Sequence, residues 1–216
     1  MYTVICNLKR LMKDIKFVNF SKSFGDITVF DNFSCTFEGG AINVIMAPSG
    51  AGKTTLLNAV AGLIEYEGVI EGRADAAYVF QEPRLIPQKT VFKNLDFALS
   101  AALPDKTERR GKITALLSEV GLGGALNLYP AELSGGMAQR AALARAFLYP
   151  SEILLMDEPF KGLDKDTKKT VTDTFMTLWQ KDKRTVLFVT HDEDDARIVG
   201  GTVYKLGDKP ITRFIR

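Results

Sequence analysis

The residues best equipped for chemistry stand in APSGAGKTT, Ala47 to Thr55. Their spacing nearly satisfies G-x-x-x-x-G-K-[ST], a loop whose backbone N–H groups cradle phosphates. Gly52, Lys53 and Thr54 fall in place, and Ala47 stands where the first glycine is expected. Gly50 and Gly52 allow the backbone to approach closely, Lys53 would reach the β and γ phosphates, and Thr54 would offer a hydroxyl to Mg2+. Pro48, Ser49, Ala51 and Thr55 complete the loop. Ala47 is costly only where the turn demands positive φ, by about 1–2 kcal/mol for an L-residue. A glycine-rich strand-to-helix turn without a ligand is the plainer alternative.

Three further stretches carry functional groups. In LSGGMAQR, Leu133 to Arg140, Ser134 is a credible helix N-cap, and Gly135, Gly136 and Met137 follow it with free N–H groups. That makes a second anion site, or an ordinary capped helix start. In ILLMDEP, Asp157 and Glu158 follow an apolar run directly, at the strand end where ligands of parallel sheets bind. Asp157 would hold a metal shell and Glu158 would deprotonate an attacking water, the division of labour that phosphoryl transfer needs; a solvated acidic pair is the other reading. His191, the sole histidine, closes TVLFVT. A lone histidine is more often structural, but its place on the same sheet edge as the phosphate loop and Asp157 favours a functional one.

These groups need elements to aim them. INVIM (Ile42 to Met46), ILLM (Ile153 to Met156) and TVLFV (Thr185 to Val189) are short and mostly apolar, as strands covered on both faces of a parallel sheet should be. Helical periods lie between them: Leu56, Leu57, Val60 and Leu63 after the loop, then Val171, Phe175 and Leu178. The alternation indicates an α/β layered core. Ahead of it, IKFVNFSKSF and ITVFDNFSCTF, separated by Gly25 and Asp26, form an expected antiparallel pair. Roughly residues 85–148 show helical patterns only (Val91, Leu95, Leu99; Ile113, Leu116, Leu117, Val120, with Gly121 at the C-cap), which marks a helical insertion.

Bulk properties narrow the field. At 216 residues the chain suits one domain with an insertion. With 28 Lys and Arg against 26 Asp and Glu, the net charge of +2 lacks the basic excess of a nucleic-acid binder, so no nucleic-acid partner is expected. Cys6 and Cys35 have neither C-x-x-C spacing nor companion histidines, which leaves no support for a zinc site or disulfide framework and points to a reducing cytosol. No apolar run approaches the ~18 residues of a membrane span, and Lys9, Arg10 and Lys13 stand where a signal peptide would be apolar. Residues 1–11 read as an extension without an assigned role.

APSGAGKTT, FQEPRLIP, LSGGM, ILLMDE, GLD and VTH, in this order and spacing, resemble an ATP-binding cassette (ABC) transporter ATPase over nearly the whole chain from about Asp14. The resemblance implies a P-loop NTPase with an ABC-type core sheet, an N-terminal antiparallel β part and an inserted α-helical subdomain, in a single nucleotide-binding domain over 12–216. It implies ATP and Mg2+ as cofactors. Residue by residue, it makes Phe24 the adenine-stacking aromatic, Gln81 the sensor of Mg2+ and the attacking water, Asp164 the acid of the loop communicating between two sites, and His191 the γ-phosphate contact. Ser134, Gly135, Gly136 and Met137 would serve the nucleotide held by the opposite subunit of a homodimer. Departures from the family pattern are Ala47, Met137 where glutamine is commonest, and Lys161 and Gly162 where Ser and Ala are usual.

FQEPRLIPQKTVFKNL and the ending GTVYKLGDKPITRFIR are similar to small bacterial importer ATPases of the nitrate, sulfonate and taurine type, a group that also serves pyrimidine precursors. This implies a peripheral subunit on the cytoplasmic face of the membrane, integral permease partners and an extracytoplasmic solute-binding protein. Leu85 and Ile86, between Pro83 and Pro87, would border a groove for a permease helix, or only pack the helical insertion. An exporter or lipoprotein-releasing ATPase is the alternative within transport. DNA-repair ATPases would insert long heptads and translation factors would carry two cassettes.

Overall fold

A computed structural model describes residues 12–215. The N-terminal extension, with Cys6, Lys9 and Arg10, lies outside the described residues. In chain order the elements are β1 (Ile15–Phe24), β2 (Ile27–Phe37), β3 (Ile42–Met46), α1 (Lys53–Val60), β4 (Glu67–Glu71), β5 (Ala76–Val79), α2 (Val91–Leu99), α3 (Lys106–Glu119), α4 (Gly135–Leu148), β6 (Ile153–Asp157), α5 (Lys165–Asp182), β7 (Thr185–Thr190), α6 (Glu193–Val199), β8 (Thr202–Leu206) and β9 (Phe214–Ile215).

The central sheet runs β5-β6-β7-β3-β8-β9, parallel through β8 with β9 antiparallel at its edge. Every residue of β3 and β7 is buried, because each strand supplies both faces in alternation. Ile45, Leu155, Leu187 and Val189 pack toward the antiparallel sheet, while Val44, Leu154, Met156, Val186 and Phe188 pack against Val171 and Phe175 on the other side. The second sheet, β2-β1-β4, is antiparallel. Its inner face carries edge-to-face phenylalanine pairs, Phe17 on Phe20, Phe33 and Phe37, that fill the space above α1.

Between α1 and α2 lie two strands, β4 and β5, which were not expected from the sequence. Another correction concerns Leu63, grouped with the first helical period. α1 ends at Val60, Gly62 turns the chain at φ 71°, and Leu63 is 64% exposed. Past the sheet, α2, α3 and α4 build a third core from Val91, Leu95, Ile113, Leu117, Val120, Ala141 and Ala144. Gly121, at φ 70°, turns the chain just after the C-cap of α3.

Two buried polar side chains fasten the helical part. Asn94 of α2 accepts from the Ile86 N–H at 2.7 Å and donates to the carbonyls of Ile86, Lys89 and Thr90. Arg184 donates to the carbonyls of Ala146, Phe147 and Tyr149 at the end of α4 and to Ser151 Oγ. No described helix is long and apolar enough to cross a membrane.

Candidate active site

β3, β6 and β7 are neighbours in the sheet, and their carboxyl ends deliver the phosphate loop, the Asp157–Glu158 pair and His191 to one edge. β3 ends at Met46; the chain turns through Pro48, whose carbonyl accepts from the Ala51 N–H, and α1 begins at Lys53. Gly50 and Gly52 hold φ of 77° and 102°. Gly52 is tight as well as left-handed: a Cβ there would lie 2.7 Å from Val29 Cγ1. Ala47 is not among the positive-φ residues, and its methyl is buried, so the missing glycine costs no backbone strain.

The Lys53 ammonium donates to the carbonyls of Ala47 (2.6 Å) and Pro48 (2.9 Å) and stands 3.5 Å from Glu158. Burial pulls it below its ordinary pKa, against the opposing pull of the Glu158 charge. Glu158 sits at φ 47°, a left-handed conformation uncommon for an L-residue, fixed by its N–H donating to the Val189 carbonyl on β7. That conformation directs the carboxylate to Lys161 Nζ at 2.7 Å, beside Lys53, with His191 Nδ1 at 3.2 Å. Burial opposes its ionisation, but the Lys161 hydrogen bond and the His191 interactions together outweigh burial and hold the carboxyl below its usual range.

Thr54 Oγ1 donates to Asp157 Oδ2 at 2.8 Å, and the Tyr78 hydroxyl, on the neighbouring β5, reaches the same oxygen at 3.5 Å. Burial pushes the Asp157 carboxyl above its ordinary value, against the Thr54 hydrogen bond. A hydroxyl and a carboxylate side by side are hard oxygen donors that fit Mg2+, which keeps waters and takes substrate phosphates for its remaining positions. No cluster of three or more His, Cys, Asp or Glu that could cage a metal by itself occurs among the described residues.

A cleft of about 260 Å³ is lined by Phe24, Ser49, Gly50, Gly52 to Thr55 and Glu158. Phe24, at the end of β1, is 49% exposed, which removes it from the core. Gln81 is exposed just beyond β5, and no hydrogen bond joins it to Thr54, Asp157 or Glu158 among the described residues. Ser134 caps α4, accepting from the Met137 N–H at 3.3 Å, and does not line the cleft. The Met137 side chain packs on the helical core, which accommodates a methionine at that position. Asp164 caps α5 by accepting from the N–H groups of Asp166 and Thr167, and the Thr167 bonds hold its carboxyl below the usual range.

Two contributions were missed in the sequence. Lys161 appeared only as a departure, yet it is the nearest cation to Glu158, while Gly162 supplies φ 78° at the following turn. Lys168 of α5 pairs with Asp192 (2.7 Å) and with Asp195, and Thr190 Oγ1 bonds both the Asp192 N–H and Asp195. These groups bracket His191 on both sides. The i, i+3 acids Asp192 and Asp195 at a helix start were the available signal, but their partner lies on another helix.

The ABC transporter family matches residues 30–161. The aliphatic sulfonates import ATP-binding protein SsuB of Bacillus subtilis is 41% identical over 192 residues, covering 85% of this chain and 74% of that protein. An uncharacterized ABC transporter ATP-binding protein of Methanocaldococcus jannaschii, MJ0412, is 37% identical over 214 residues, covering 93% and 80%. Among solved structures, an inward-facing metal-chelate type ABC transporter superposes with a TM-score of 0.83 over 95% of this chain and 83% of its own, at 22% identity, which speaks for the fold. The dimeric post-hydrolysis state of the ATP-binding cassette MJ0796, bound to ADP and Pi, superposes with a TM-score of 0.78 at 30% identity, covering 94% and 97%. With the phosphate loop, the acidic pair and the histidine meeting at one sheet edge, the chain belongs to the ABC transporter family and is an ABC ATPase.

Proposed function

We propose that the chain is the ATP-hydrolysing subunit of a bacterial ABC importer, closing on ATP as a homodimer to drive integral permease subunits from the cytoplasmic face of the membrane. One domain over 12–216 would do this, with a helical subdomain over roughly 85–148 and an extracytoplasmic binding protein delivering the solute. Similarity to proteins named for aliphatic sulfonate import supports a small anionic solute of that kind. The observation that carries the reading is the separation of two helix starts suited to phosphate: Lys53 opens one inside the cleft, and Ser134 caps the other outside it. A second copy, placed by two-fold symmetry, would bring its Ser134, Gly135, Gly136 and Met137 over the cleft of the first.

Within the cleft, Phe24 would stack on adenine, the N–H groups of residues 49, 50 and 52–55 would bind the phosphate chain, and Lys53 would exchange its carbonyl partners for β and γ oxygens. Thr54 and Asp157 would hold Mg2+, which when bound neutralises charge developing between the β and γ phosphates. Glu158 would take the proton of the attacking water, and His191, beside Glu158 and between the hydrogen-bonded Thr190 and Asp192 in sequence, would contact the γ-phosphate. Gln81, outside this network, would enter it on closure, and Asp164 would meet the facing subunit. The test is uptake of a sulfonate by cells carrying the chain with the permease and binding protein of a sulfonate importer. Glu158→Gln should abolish uptake while retaining ATP binding; uptake unchanged in that variant would overturn the reading.

A further inference from the structure

The same cleft has a wall that none of the sequence motifs accounts for: Lys209, from the loop joining β8 to β9. That loop is pinned. Ile211, two residues on, is 1% exposed; its N–H donates to the Val29 carbonyl at 2.9 Å and its carbonyl accepts from the Asp31 N–H at 3.1 Å, forming a parallel bridge with Phe30. Behind it, Phe214 of β9 packs edge-on against Phe33 and Phe37. Val29 also lines the cleft, and Val29 and Phe30 are the residues that crowd Gly52 from behind. One short stretch of β2 therefore backs the phosphate loop and tethers the C-terminal hairpin beside it.

The charges lining the cleft are two cations, Lys53 and Lys209, against one carboxylate, Glu158. Lys53 is committed to the Ala47 and Pro48 carbonyls and to Glu158. Lys209 forms no ion pair among the described residues, is exposed, and lines the cleft together with Phe24 and Thr55. An ammonium held beside a polyanion's site with no other partner adds attraction at little reorganisation cost. We propose that Lys209 is a second cationic ligand for the phosphate chain of the nucleotide, supplied by the C-terminal hairpin. The proposal rests on reading this cleft as the ATP site.

Equilibrium binding of ADP, by calorimetry, to wild type, Lys209→Met, Lys209→Glu and Lys209→Arg tests it. Lys209→Met should weaken ADP about fivefold and Lys209→Glu further, while Lys209→Arg stays within about twofold. The Lys209→Met deficit should shrink as salt rises toward about 0.5 M, since an exposed ammonium is screened. Circular dichroism and melting temperature matching wild type show that the variants are folded. ADP binding within twofold of wild type in both Lys209→Met and Lys209→Glu would overturn the assignment. Lys53→Ala separates the two levels: if it too binds ADP normally, the cleft is not the nucleotide site. If it loses ADP while the Lys209 variants do not, only the role of Lys209 fails.

Discussion

Glu158 stands between two ammonium groups, Lys53 at 3.5 Å and Lys161 at 2.7 Å, with the His191 imidazole at 3.2 Å. Replacing the carboxylate by an isosteric amide removes the base while keeping the size, so Glu158→Gln should lower steady-state ATPase by roughly 10²-fold or more. Lys161 contributes differently, because its side chain is 42% exposed and reaches the carboxylate from the loop after β6. At Ala47 the missing glycine costs no backbone strain. Ala47→Gly gains no conformational relief, since φ is not positive there, and frees the unfolded chain. That variant should bind ATP within about twofold of wild type and unfold about 0.5–1 kcal/mol more easily in a urea titration. Lys53, Thr54, Asp157, Glu158 and His191 were readable from the sequence because each follows a buried strand or opens a helix. The Lys161 contact was not, because it depends on a left-handed φ at Glu158 that no residue type announces.

At the scale of elements, the loop between β5 and α2 is held by side chains from two helices. Asn94 bonds Ile86, Lys89 and Thr90, and Arg145 of α4 donates to the carbonyls of Pro83 and Arg84. Asn94→Ala leaves buried backbone groups without partners and should cost about 1–3 kcal/mol in thermal or urea unfolding. Lys168 clamps α5 to the start of α6 through Asp192 and the buried Asp195. Its hydrogen bond is the largest influence on Asp192, whose carboxyl is held below its ordinary value. A depressed carboxyl stabilises the fold above its unfolded pKa, near 3.9, and that stability is lost as pH falls through the lower folded value. Lys168→Met should therefore lower stability at pH 7 by about 1–2 kcal/mol, since Asp192 is partly exposed and screened, and the gap to wild type should close as pH falls below the carboxylate range in denaturant titrations. Periodicity revealed the strands buried on both faces and the helices of the insertion. It missed β4, whose EGVIE has one buried residue, and β5, only four residues long and begun by two alanines. It overran α1 at Leu63, since an apolar residue in phase with a helix says nothing about the Gly62 turn that ends it.

For the whole molecule, the proposed function gives each chain half of what hydrolysis needs: a cleft with Lys53 and Glu158, and a separate capped helix start at Ser134. The decisive measurement mixes two inactive variants, Lys53→Ala and Ser134→Arg, and reads ATPase activity. In a dimer of shared sites, a mixed pair has one site with an intact phosphate loop facing an intact Ser134, so an equimolar mixture should recover up to about a quarter of wild-type activity where one site suffices. If each chain hydrolyses ATP within itself, the mixture will show no more activity than the two variants measured apart, and the account fails.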